Sequence, residues 1–322
     1  MSRILVTGAN GFVGKPLCRM LALNGHEVIA LQRRESAAVD GVTPWLHAQP
    51  DFVDIDRAWP NGIRPDCVVH LAARVHVMND EAPDPLAAFR ATNVEGTLRL
   101  ARAAHDHGAR RFVYVSSVKA VAEADHGVPL AEDVPARPED AYGISKHEAE
   151  EALWAMQRET GIEIVIVRPP LVYGPGVGAN FLRMLRTVAK GLPLPLGAAH
   201  ARRSLVYVEN LADALMHCAI DARAANACFH VADDDAPDVA QLLRSLGSHL
   251  ERPARLVKVP MFVLRAVGTL MGRRAVVDRL TSGLELDASR IRGTLDWRAP
   301  HTTDEGLEAT VRWFRSTYPA NR

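Results

Sequence analysis

Short apolar runs recur through the first half of the chain, and helical patterns separate them. Ile4-Leu5-Val6 comes first, followed by His26-Glu-Val-Ile-Ala-Leu31, Cys67-Val-Val-His-Leu71, Arg111-Phe-Val-Tyr-Val115 and Ile162-Glu-Ile-Val-Ile-Val167. Runs that stay apolar at consecutive positions, not alternate ones, predict strands buried on both faces. Between them, residues 15–23 place Leu17, Met20, Leu21 and Ala22 on one helical face. Residues 85–108 do the same with Leu86, Phe89, Val94 and Leu98, and residues 142–161 form a third helical pattern. Strand and helix in alternation predict an α/β fold, a Rossmann-type doubly wound parallel sheet.

Past Arg168 the texture changes. Pro169, Pro170, Gly174, Pro175, Gly176 and Gly178 crowd one stretch, and residues 191–197 are again rich in glycine and proline. Such clusters predict loops and a smaller lobe. Residues 204–208 and 228–231 predict strands that return to the main body. The division expected is a dinucleotide-binding domain of residues 1–168 with about 203–231, and a discontinuous C-terminal α/β substrate lobe of residues 169–202 and 232–322.

The first strand runs straight into Gly8, Gly11 and Gly14, with a helix after them. Strand, glycine turn and helix present bare backbone N–H groups at a helix N-terminus to a pyrophosphate. The spacing is G-x-x-G-x-x-G, one residue longer at its first step than the commoner G-x-G-x-x-G. Composition narrows the classes. The 322 residues contain 38 Lys plus Arg and 38 Asp plus Glu, so no net field favours nucleic acid or a membrane surface. Four cysteines without C-x-x-C pairing predict buried thiols in a reducing compartment. The N-terminus has no signal-peptide pattern, and the most apolar helical stretch, residues 260–272, is too short to span a bilayer and contains Arg265. A cytoplasmic enzyme is expected. His105-Asp-His107 lacks further ligands at metal spacing, so no metal site is predicted. The acidic run Asp233-Asp-Asp235 predicts a solvated loop.

Tyr142-Gly-Ile-Ser-Lys146 carries the chemistry. Tyrosine and lysine four apart share one helical face. An ammonium near a phenol favours the phenolate, and a phenol tuned in that way can exchange a proton with a carbonyl or hydroxyl. Ser117 follows a strand, at the C-terminal edge where ligands bind in open α/β sheets.

These motifs together resemble the extended short-chain dehydrogenase/reductases of the NAD-dependent epimerase/dehydratase family, which act on nucleotide sugars. The matching stretches are Thr7-Gly-Ala-Asn-Gly-Phe-Val-Gly14, His70-Leu-Ala-Ala73, Val115-Ser-Ser117, Tyr142-Gly-Ile-Ser-Lys146, Arg168-Pro-Pro-Leu-Val-Tyr-Gly174, and Arg203 with Asn210-Leu-Ala-Asp213. The resemblance implies that Ser117, Tyr142 and Lys146 are catalytic, with Tyr142 the acid/base at a sugar oxygen. It implies a dinucleotide held by Gly8, Asn10, Gly11, Phe12, Val13, Gly14, Leu71, Ala72, Ala73, Tyr142, Lys146 and Pro169. Asp51 with Phe52 is the candidate for the adenine edge, with Asp54 competing. Asn180 and Arg203, and on a looser match Arg279, would hold the nucleotide diphosphate of the substrate. A homodimer through the helices at 85–108 and 142–161 is also implied.

Two departures bear on the reaction. Family dehydratases carry an Asp-Glu pair just after the catalytic hydroxyl residue, whereas Ser117 is followed by Val118-Lys119, which argues against dehydration. The second predicted strand ends in Gln32-Arg33-Arg34 where NAD-preferring members have an acid. Two guanidiniums there could bind a 2′-phosphate, so NADP(H) is the favoured cofactor and NAD(H) the alternative. That preference tilts toward reduction. The segments 70–80 and 168–181 resemble an O-antigen subfamily whose members reduce UDP-2-acetamido-2,6-dideoxy-xylo-4-hexulose to UDP-N-acetylquinovosamine, with Arg74, His76 and Lys119 as candidate substrate contacts. A UDP-hexose or UDP-N-acetylhexosamine 4-epimerase is the enzymatic alternative, and a non-catalytic dinucleotide-binding regulator the remote one.

Overall fold

The computed structural model describes residues 1–35, 37, 39–75, 83–270, 272 and 282–319. Its main sheet has seven parallel strands: β1 (Arg3–Thr7), β2 (Glu27–Gln32), β3 (Val42–Leu46), β4 (Cys67–His70), β5 (Arg111–Val115), β6 (Glu163–Arg168) and β9 (Ala227–His230). Their order is β3-β2-β1-β4-β5-β6-β9, which reverses direction between β1 and β4 and opens a crevice there at the strands' C-terminal ends. Ile4, Val6, Val28, Val69, Val113, Val165 and Val167 face α1 (Gly14–Leu23) and α6 (Val208–Ile220) through Leu17, Leu21, Leu211 and Leu215. Leu5, Ile29, Val68, Phe112, Ile164 and Ile166 face the other way, onto α3 (Thr97–Asp106) and α4 (Ala141–Thr160) through Leu100, Ala104, Ala149 and Leu153. Adjacent residues of one strand thus enter two different cores, which is why the runs are apolar throughout.

The helix expected over 85–108 is a composite. α2 (Pro85–Arg90) begins at Asp84, whose carboxylate accepts from Ala87 N, and α3 completes it. Between them Ala91–Gly96 widens into a π-helical segment.

Residues 204–208 do supply a strand whose Val206 packs into the main core, but it stays out of the main sheet. β8 (Leu205–Tyr207) pairs with β7 (Leu171–Tyr173) in a separate two-stranded sheet, and only β9 joins β6. A third core lies beside that small sheet. It joins Tyr173, Tyr207, Phe181 and Leu185 of α5 (Ala179–Ala189), Leu243 and Leu246 of α7 (Val239–His249), and Leu307, Val311 and Phe314 of α10 (Thr303–Thr317). Among the described residues the remaining α-helices are α8 (Met261–Leu270) and α9 (Ser289–Leu295). Asp233 anchors this region and is no solvated loop residue. It is 5% exposed, accepts from the Tyr173 hydroxyl at 2.8 Å and from Asn210 Nδ2 at 2.8 Å, and caps the Tyr207 amide. Among the described residues no helix is long and apolar enough to cross a membrane.

Candidate active site

The glycine turn sits at the crevice. Gly8 adopts φ +63°, and a Cβ on it would stand 2.9 Å from the Ala72 amide nitrogen, so the loops after β1 and β4 touch only because this residue has no side chain. A Cβ on Gly14 would lie 2.2 Å from the Gly8 carbonyl oxygen. α1 begins at Gly14 with no side chain capping its first turn, and Gly11 N donates to Gly8 O at 2.8 Å. A cradle that any Cβ would fill, open at a helix N-terminus, fits a dinucleotide pyrophosphate. Asn10 is exposed beside it, Val13 is half-buried, and Phe12 turns toward Gly176.

A directed hydrogen-bond chain locks the two loops. The Thr97 hydroxyl donates to Asn93 O at 2.7 Å, so it accepts from His70 Nε2 at 3.1 Å. His70 Nδ1 therefore accepts from the Thr7 hydroxyl at 2.8 Å, and Thr7 Oγ1 in turn accepts from the Leu71 and Ala72 amides. Burial, and after it the Lys146 charge, hold His70 down to about 3, which keeps the ring neutral and the chain's direction set. Ala73 follows in the same loop. Asn93, inside the π-helical segment, accepts from Arg74 N at 2.8 Å and donates to Arg74 O and to the Ser145 hydroxyl, both at 3.0 Å. It ties the β4 loop to α4. The Arg74 guanidinium lies over the Phe89 ring, and Phe89 meets Tyr142 edge-on.

The Ser117 turn and the start of α4 are packed together by Gly143. A Cβ there would stand 2.4 Å from the Lys119 carbonyl oxygen. Asp140 caps α4 through Gly143 N, and Pro169 O accepts from Val118 N at 3.0 Å. These contacts bring the Ser117 hydroxyl beside the Tyr142 phenol. Lys146 donates to Val115 O at 2.8 Å and lies over the rings of Tyr114 and Tyr142, at 4.5 and 6.0 Å from their centroids. Ser117, Tyr142 and Lys146 therefore converge.

The electrostatics differ from expectation. Burial pushes Tyr142 up to about 12, with the Ser117 hydrogen bond pulling the other way, and burial brings Lys146 down to about 7 against the opposing pull of Glu150. In this structure burial is the largest influence on both groups, raising the phenol and lowering the ammonium.

The outer candidates separate. Asp51 and Phe52 both adopt positive φ, at 50° and 55°, a strained turn of the kind that collects at binding sites. Asp51 accepts from the Thr92 hydroxyl at 2.6 Å, whereas Asp54 is exposed. Arg33 and Arg34 are both exposed beyond the end of β2. Lys119 is held between Glu123 and Asp140, at 2.6 Å from each, and braces the Ser117 turn. Asn180 is exposed in the first turn of α5, and Arg203 is half-buried, its guanidinium donating to Ser282 O at 3.3 Å. His76 and Arg279 lie outside the described residues.

Three structural groups escaped the sequence. Asn93 sits in an ordinary-looking Asn-Val-Glu-Gly-Thr stretch of helix. His70 stands in a strand as one polar residue among apolar ones. Arg168 forms a buried ion pair with Glu150, one turn along α4 from Lys146, with three nitrogen–oxygen contacts of 3.0, 3.2 and 2.6 Å.

Comparison with known proteins places this geometry. Residues 4–231 match the model of the NAD dependent epimerase/dehydratase family. A Vibrio cholerae protein named UDP-glucose 4-epimerase is 38% identical over 317 residues, spanning 97% of this chain and 95% of its own. The crystal structure of UDP-glucose 4-epimerase with UDP-glucose from Thermotoga maritima superposes with TM-score 0.79 at 25% identity, covering 98% of this chain and 99% of that one. A short-chain dehydrogenase/reductase superfamily protein of Agrobacterium tumefaciens with bound NAD gives 0.76 at 24%, covering 98% of both. That structure and three others of the same fold hold NAD, which overturns the expectation of NADP(H). The physical reason is at hand, since two arginines that lie exposed past the end of β2 do not by themselves make a phosphate clamp. With its cradle at the β1–β4 crevice and its serine, tyrosine and lysine gathered at the end of β5, the chain belongs to the NAD-dependent epimerase/dehydratase family, an NAD(P)-dependent enzyme of the short-chain dehydrogenase/reductase type whose relatives include proteins named UDP-glucose 4-epimerase.

Proposed function

We propose that this protein is a UDP-sugar 4-epimerase that retains NAD through its cycle. The observation that carries the reading is full-length likeness at 38% identity to a protein named UDP-glucose 4-epimerase, in a chain that keeps Ser117, Tyr142 and Lys146 together. The 4-ketoreductase expectation gives way to it. One of its two supports was a preference for NADPH, which the NAD-bound structures remove, and the full-length match to a protein named UDP-glucose 4-epimerase outweighs the other, the likeness of segments 70–80 and 168–181 to an O-antigen subfamily.

Bound NAD supplies a group that can take a hydride from a sugar carbon and give it back. The chain's own residues do the rest. In this reading the Tyr142 hydroxyl passes a proton to and from the sugar oxygen, and Ser117 hydrogen-bonds the same oxygen. With burial holding the phenol protonated at neutral pH, Tyr142 stands ready to donate to a carbonyl oxygen. Lys146, fixed by Val115 O, brings a cation to the phenol and the cofactor. The N–H groups of the glycine turn and α1 receive the pyrophosphate, and Asp51 and Phe52 the adenine edge. Asn180 and Arg203 receive the diphosphate of the substrate, and Arg74, over the Phe89 ring that itself meets Tyr142, lines the sugar end. A homodimer formed through α2–α3 and α4 belongs to the same reading.

The test is incubation of the purified protein with UDP-glucose, and separately with UDP-N-acetylglucosamine, without added cofactor. Appearance of the 4-epimer supports the proposal. Failure to epimerise either, together with stoichiometric NAD(P)H oxidation on a 4-keto-6-deoxy UDP-sugar, would replace it with the reductase.

A further inference from the structure

Residues 252–277 contain Arg252, Arg255, Lys258, Arg265, Arg273 and Arg274 and no aspartate or glutamate, in a chain whose 38 cations and 38 anions cancel. Most of the remaining residues of this stretch are apolar. Arg252, Arg255 and Lys258 are exposed on a strip of backbone that runs beside residues 194–197, with Val257 N donating to Leu194 O at 2.8 Å and Gly197 N to Val257 O at 3.0 Å. Lys258, Arg244, Ser248 and Gly197 line a cavity of about 490 Å³, large enough for a phosphate-bearing group.

α8 begins three residues after Lys258. Phe262 is 74% exposed and Leu270 87%, and Ala266 and Thr269 are exposed with them. Positions 262, 266, 269 and 270 follow the i, i+4, i+7, i+8 spacing of one helical face, and these four residues carry no charge. An uncharged, largely apolar face left in water beside a cationic strip without carboxylates calls for a partner that is anionic and apolar at once.

A second copy of the chain is a poor occupant. A two-fold contact centred here would set Arg252, Arg255 and Lys258 against their own equivalents. An anionic lipid surface satisfies both features together, with headgroup phosphates on the cations and the acyl boundary on the helix face, and it demands no shape match. We propose that residues 252–258 and α8 form a docking surface on which the protein lies against an anionic lipid bilayer. Arg244, Ser248 and Lys258 take a headgroup phosphate, and Phe262 and Leu270 enter the interface.

The experiment is co-sedimentation of the full chain with vesicles of phosphatidylcholine alone, or of equal parts phosphatidylcholine and phosphatidylglycerol. The protein should sediment with the mixed vesicles only, and less as salt shortens the Debye length. Phe262→Ser with Leu270→Ser, and separately Arg255→Glu with Lys258→Glu, should each weaken binding by about tenfold or more, since both apolar insertion and charge contribute. Thermal unfolding and turnover on a soluble UDP-sugar should stay at wild-type values, which shows that the fold survives. No binding to the mixed vesicles would overturn the proposal. So would loss on charge reversal alone, which marks non-specific adsorption. A concentration-dependent dimer abolished by the Phe262 and Leu270 changes would assign the face to a second copy, and tight binding of an acidic peptide with none to vesicles would assign it to a protein.

Discussion

Glu150→Gln tests the least visible support of the active site. Glu150 is 2% exposed and Arg168 8%, and the guanidinium also donates to the Glu132 carbonyl at 2.9 Å. The glutamine keeps one acceptor but leaves a buried cation without a counter-charge. Breaking one side of a buried pair costs about 3–5 kcal/mol. At about 2–4 °C per kcal/mol for a chain of this size class, the midpoint should fall by about 10 °C. Replacing both residues by methionine should recover most of that loss, short of about 1 kcal/mol for the hydrogen bond to Glu132 O. Differential scanning fluorimetry of Glu150→Met, Arg168→Met and the methionine double closes the cycle, with Glu150→Gln measured beside them. The charge also acts on Lys146, because Glu150 is what opposes burial in holding the lysine's proton. Without it Lys146 deprotonates at lower pH, so the high-pH limb of the turnover profile should move toward acid while the low-pH limb stays. A single variant within about 1 °C of wild type, or a double no more stable than Glu150→Gln, would refute the buried-pair argument. An unmoved high-pH limb would refute the coupling to Lys146.

Tyr142→Phe should cut turnover by about 100-fold or more while NAD binding, followed by fluorescence, is little changed, since it removes only the proton-transfer group. Gly14→Ala drives a Cβ into the Gly8 carbonyl, and should abolish NAD binding and lower stability by about 2 kcal/mol or more, read from urea unfolding. His70 bears on acid stability. Its folded value of about 3 lies below its ordinary 6.5, so between these the unfolded chain binds a proton that the folded chain does not. Stability present above pH 6.5 is therefore lost as pH falls toward 3, and His70→Asn should flatten that slope in urea unfolding at pH 4.5 against pH 7.

The strands of the main sheet were legible because burial on both faces writes itself as unbroken apolar runs. β3 was not, since Pro44 and Thr43 interrupt it and an edge strand tolerates both. β8 was legible as a strand, but pairing partners are not local, and Val172 and Val206 meet across residues that the chain separates widely. Asp233 opens a run of three aspartates and reads as solvent-facing until Tyr173, Tyr207 and Asn210 fold around it. Glycine spacing and the Tyr142–Lys146 interval pointed to residues that the fold gathers at one crevice. Its electrostatics stayed hidden because they depend on desolvation, which no spacing records. Arg33 and Arg34 misled for a related reason, in that charge type is visible in sequence while engagement is not.

The π-helical turn at Ala91–Gly96 has a consequence for phase. Each residue advances an α-helix by about 100°, so one extra residue in a turn rotates everything after it by that amount relative to everything before. On a regular wheel Leu100, eleven residues on, would lie about 20° from Phe89, and the wide turn carries it about 100° from that position, so that Phe89 meets Tyr142 while Leu100 enters the sheet core. Deleting one residue between 91 and 96 would restore a regular helix and put the two halves out of step. Asn93 would swing away from the β4 loop or from α4, because it holds both only while the helix is one residue too long.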